Sequence, residues 1–109
     1  MVKREILRNY IQDNFECYPG YYKWKKDYIM EFSWIHYTCQ EVLYELALLP
    51  NDDMVMPMLE QKIKEAEMCL SKSKTVTSRI LFTTERRILD ELVGVLVAAQ
   101  EDINHNPVL

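Results

Sequence analysis

Apolar residues recur along most of this chain at three- and four-residue spacings, the period of helices that bury one face. Ile6, Leu7, Tyr10 and Ile11 predict a short amphipathic helix over 3–15, closed by the strong turn signal of Tyr18-Pro19-Gly20. Residues 21–49 contain no glycine or proline, and eighteen of these 29 are apolar. At 1.5 Å per residue they predict one helix of roughly 40 Å. Its seam runs Tyr28, Phe32, Ile35, Cys39, Val42, Leu46 and Leu49, alternating four and three as in knobs-into-holes packing. Met30, Tyr37, Tyr44 and Leu48 fall on nearly the opposite face, with Trp34 beside them in a strip that also carries Asp27, Glu41 and Glu45. A helix apolar on two faces is buried between layers or shared with a second molecule.

The second half of the chain is more polar. Pro50-Asn51-Asp52-Asp53 reads as a loop, and Pro57 suits the first turn of a helix over 57–73, where its missing N–H costs nothing. That helix has a narrow stripe of Leu59, Ile63, Ala66 and Leu70, with Lys and Glu opposite. Residues 71–79 are polar and partly β-branched, the weakest stretch for helix, and are expected to form a connection. Thr83 or Thr84 is expected to cap a last helix, with Glu85 in its first turn. Its core face is Ile88, Leu92, Val95 and Ala99, widened by Leu89, Val93, Leu96 and Val97. Gly94 and Ala98 form a small pair that would permit close helix approach. The expected fold is an all-α, antiparallel bundle of about four helices, built around the long aromatic-rich helix and crossing near 20°. Residues 1–104 are expected to form a single domain and 105–109 a flexible tail.

Length and composition narrow the function. A chain of 109 residues, 49% apolar and 28% charged, is one globular domain and too apolar to be disordered. The net charge of −4 argues against general polyanion binding, but residues 1–26 carry a local excess of three positive charges. Cys17, Cys39 and Cys69 are scattered and odd in number, which reads as reduced thiols in a cytoplasmic protein. No signal peptide is expected, since no continuous apolar run follows Lys3, Arg4 and Glu5, and Asp27, Glu31, Glu41 and Glu45 argue against a membrane span over 21–49.

Candidate chemistry is sparse. Tyr22, Lys23, Lys25 and Lys26, with Arg4 and Arg8, interleave aromatic and basic residues in a manner suited to phosphates and stacked bases. Aromatics entering the core beside solvated lysines explain the same pattern. Glu41 and Glu45, one turn apart, provide half of the carboxylate set by which all-helical nucleotide hydrolases bind Mg²⁺, but no second helix supplies the other half. A solvated acidic strip is the simpler account. His36 and Cys39 lack a third group for nucleophilic catalysis, and no ligand set for a metal is present. With only Gly20 and Gly94, a glycine-rich phosphate loop is excluded. No catalytic residue and no cofactor are expected.

Phe82-Thr-Thr-Glu-Arg-Arg-Ile-Leu-Asp-Glu-Leu92 and Leu7-Arg8-Asn9-Tyr10 resemble helix openings of sigma-factor-like phage regulators. A Thr cap followed by Glu opens many helices, however, and residues 92–99 are too apolar to lie in a DNA groove. No family is assigned on these residues. The expectation is a small cytoplasmic, non-enzymatic protein that binds another protein as a regulator, adaptor or inhibitor. It is expected to be a homodimer through Met30, Trp34, Tyr37, Tyr44 and Leu48, residue types enriched in interface cores. A nucleic-acid-associated regulator is the alternative, and an Mg²⁺-dependent nucleotide hydrolase the third.

Overall fold

The computed structural model describes the backbone of residues 2–16 and 29–105, with the side chains of 2–15 and 34–101. Four helices pack together: α1 (Lys3–Ile11), α2 (Ile29–Leu48), α3 (Val55–Lys72) and α4 (Val76–His105). There is no strand among the described residues, and the fold is an all-α bundle. α1 runs directly into a π-helical turn, Gln12–Glu16, and a 3₁₀ turn, Asp52–Met54, leads into α3.

The core follows from the helical period. Leu7 and Ile11 of α1, Ile35, Cys39, Val42 and Leu46 of α2, Val55 and Leu59 of α3, and Ile88, Leu89, Leu92 and Leu96 of α4 form one buried cluster. The described part of the α2 seam is therefore the face that is buried. Tyr28 lies outside the described residues, as does the Phe32 side chain. α4 touches all three other helices, whereas α2 packs against α4, α1 and the π-helical turn.

Two contacts bind the N-terminal helix to the α2–α3 corner. The first backbone N–H groups of a helix have no partner within it. Here the Lys3 and Arg4 amides donate to the Asp52 carboxylate at 2.8 and 3.1 Å. A carboxylate at this end also meets the positive pole of the helix dipole. The Arg4 guanidinium donates to the Leu49 carbonyl at 2.6 Å, just past the end of α2. Burial opposes ionisation of Asp52, but the two amide bonds and the charges of Lys3 and Arg4 outweigh it and hold the carboxyl below its ordinary range.

Several sequence expectations are corrected. Residues 71–79 are not a loop: only Ser73–Thr75 break the helical run, and α4 begins at Val76. The cap is therefore Thr75 rather than Thr83 or Thr84. The Ser78 amide donates to Thr75 Oγ1 at 3.1 Å, while the Ser78 hydroxyl donates to the Thr75 carbonyl at 3.1 Å. Sequence propensity understated this start because Thr75, Val76 and Thr77 are β-branched, whereas a capping hydroxyl acts through its oxygen. Thr84 is instead buried within the helix. Gly94 and Ala98 are exposed, and a Cβ added at Gly94 meets nothing within 4 Å, so none of the described helices approaches there. The helix continues through His105, and residues 106–109 lie outside the described residues.

Candidate functional site

The side of α2 turned from the core carries the exposed aromatic surface. Tyr37, Tyr44 and Leu48 are 53%, 67% and 64% exposed. They stand seven and four residues apart, which puts them in one row along the helix. Trp34 is half-buried at the edge of this row and stacks on Tyr37, with ring centroids 5.1 Å apart and planes 21° from parallel. The stack holds Tyr37 in place, which lowers the side-chain entropy an interface must remove. Trp34 Nε1 is buried without a hydrogen-bond partner among the described residues. The Met30 side chain lies outside the described residues.

Glu41 and Glu45 flank the row on the side toward α3. They are not simply solvated. Lys62 of α3 reaches both, at 3.2 Å to Glu41 and 3.1 Å to Glu45. Lys62 is only 8% exposed, so an ammonium is buried between two carboxylates. Burial works against its charge, but the bonds to Glu45 and Glu41 prevail and raise its pKa. Glu85 of α4 lies within electrostatic reach. Burial first, then the charges of Glu41 and Glu65, push its carboxyl up, with Lys62 acting in the opposite direction. The pair of carboxylates considered for Mg²⁺ thus encloses a lysine. Glu67 and Asp90 are likewise engaged, both by Arg86. Among the described residues, no group of three or more His, Cys, Asp or Glu is placed to hold a metal ion.

The basic set is not assembled as a surface in the described residues. Arg4 is half-buried and bonded to Leu49, while Arg8 is exposed at the end of α1. Tyr22, Lys23, Lys25, Lys26 and Asp27 lie outside the described residues, as does Cys17. Cys39 is buried in the core while His36 is exposed. Cys69 is exposed on α3.

Lys62 was missed in the sequence, yet a signal was there. Leu59, Lys62, Ile63 and Ala66 follow the spacing of a buried stripe, and Lys62 occupies an inward position of it. Asp52 gave no such signal, because its partners Lys3 and Arg4 are 49 and 48 residues away. Searches against family models, curated proteins and solved structures find no match for this chain. No described helix is long and apolar enough to cross a membrane.

Proposed function

We propose that this chain is a non-enzymatic cytoplasmic protein that acts by binding another protein, as a regulator, adaptor or inhibitor, and that it pairs with a second copy through α2. The supporting observation is the row of Tyr37, Tyr44 and Leu48, each more than half exposed on a helix whose other face already fills the core. Tyrosine contributes large contact area at low entropic cost and carries a hydroxyl for the polar margin. Soluble monomers rarely leave contiguous apolar patches of this kind in water. A two-fold pairing lays the row against its own copy, with Trp34 backing Tyr37 in each. The paired Glu41 and Glu45 then form one polar flank.

Tyr44→Asp tests the reading, because Tyr44 is exposed and its replacement leaves the core intact. Light scattering after size exclusion is expected to show a dimeric wild type and a monomeric variant of unchanged helical content. Equal masses for the two proteins contradict the α2 pairing.

A further inference from the structure

Arginines on α4 differ in how they are engaged. Arg86 is paired with Glu67 across the α3–α4 hairpin and with Asp90 one turn on. Arg79 and Arg87 have no ion pair among the described residues, and their neighbours explain why. At the three- and four-residue spacings from which a carboxylate would reach it, Arg79 has Thr75, Val76, Phe82 and Thr83. Arg87 has Asp90 and Glu91 in reach, but Asp90 is taken by Arg86, and Glu91 faces the half-buried Tyr10 of α1, whose pKa is raised by burial and by the Glu91 charge.

Both arginines are exposed, and both line one pocket of about 320 Å³ with Ile80, Thr83 and Thr84. Thr83 stands midway, four residues from each arginine. Thr84 is 7% exposed and, unlike Thr38, whose hydroxyl donates to the Trp34 carbonyl, it has no hydrogen-bond partner among the described residues. Its hydroxyl is nevertheless accessible from the pocket and free to donate there to an acceptor. Two unpaired guanidinium groups beside it concentrate positive charge in a chain of net charge −4.

We propose that Arg79, Thr83, Thr84 and Arg87 bind the phosphate group of a small ligand. Arg79, Thr83 and Arg87 stand in one row along α4, one turn apart, so both guanidinium groups and the threonine hydroxyls between them can donate to one anion. A tetrahedral phosphate offers oxygens in several directions to such a set, whereas a carboxylate presents one planar edge suited to a single fork. Ile80 provides apolar surface for the rest of the ligand. The volume lies at the lower end of small-molecule sites, which span about 300–1,000 Å³.

Calorimetric titration of the full chain with inorganic phosphate, pyrophosphate, adenosine diphosphate and succinate, at matched ionic strength, tests the site. Saturable binding of at least one phosphate compound is expected, with none for succinate. Adenosine diphosphate binding more tightly than pyrophosphate identifies an organic phosphate as the ligand, and the reverse order a free anion. Arg79→Gln and Arg87→Gln are each expected to weaken binding about ten- to a hundredfold, the loss of one charge-assisted contact. Thr84→Val is expected to weaken it as well. Arg8→Gln, an exposed arginine outside the pocket, is expected to leave it unchanged. Failure of all three phosphates to saturate in the millimolar range overturns the proposal. So does equally tight succinate binding, or an Arg8→Gln loss equal to that of the pocket variants.

Discussion

Lys62 occupies a position that the helical period assigns to an apolar side chain, and its ammonium stays charged there because Glu41 and Glu45 both reach it. The burial is one-sided. The lysine side chain is 9% exposed and each carboxylate 37%, so the carboxylates rehydrate readily and the ammonium does not. Lys62→Met is therefore expected to fall within about 1 kcal/mol of wild type, since an apolar isostere replaces a desolvated charge. Neutralising both partners, Glu41→Gln with Glu45→Gln, is expected to cost roughly 1–3 kcal/mol. Urea denaturation at neutral pH measures both, well below the pH at which the raised Lys62 pKa would release its proton. A larger loss for Lys62→Met than for the double variant contradicts this account. Asp52 gives a second test with a pH signature. Its lowered pKa means that its contribution is present above the ordinary carboxylate range and is lost as pH falls through the folded value. Asp52→Ala is expected to lose roughly 0.5–2 kcal/mol at neutral pH, as for a helix N-cap, and progressively less on acidification. Glu85 has the opposite sign: its raised pKa weakens the fold as pH rises above the ordinary value, so Glu85→Gln stabilises at neutral pH and its advantage vanishes in acid.

The helices themselves were legible wherever a period was local. Ile35, Cys39, Val42 and Leu46 repeat within one element, so their shared burial is written in their spacing alone. Gly94 and Ala98 show the limit of such reading: a small pair permits a neighbour, but the spacing holds no information on whether a helix arrives. The start of α4 was obscured for a different reason. Low propensity at Thr75, Val76 and Thr77 masked a hydroxyl cap, and the hairpin with α3 extends the helix through them. Thr75→Ala is expected to fray this first turn, at roughly 0.5–2 kcal/mol, and to speed amide exchange over 76–80 without affecting the turns around Leu92. Leu92→Ala, fully buried where α4 meets the core, is expected to cost about 2–5 kcal/mol. Unchanged exchange at 76–80 in the Thr75 variant contradicts the cap, and a loss below about 1 kcal/mol at Leu92 contradicts the facing of α4.

The whole molecule is elongated, 52 × 33 × 26 Å, and the 30-residue α4 touches the other three helices. That arrangement closes the core around one face of α2 and leaves Tyr37, Tyr44 and Leu48 outside it, the part of the candidate surface that the sequence pattern indicated. The Lys62 bridge and the Asp52 cap belong to this scale: the inward position of Lys62 is visible in its helical spacing, but the partners of both residues lie on segments distant in the chain and are not. The claim that this surface pairs with its own copy is tested most directly by sedimentation equilibrium of the wild-type chain at micromolar concentration. Pairing through α2 predicts a species of twice the 13.0 kDa chain mass, dissociating on dilution. A single-mass species that persists to high micromolar concentration contradicts it.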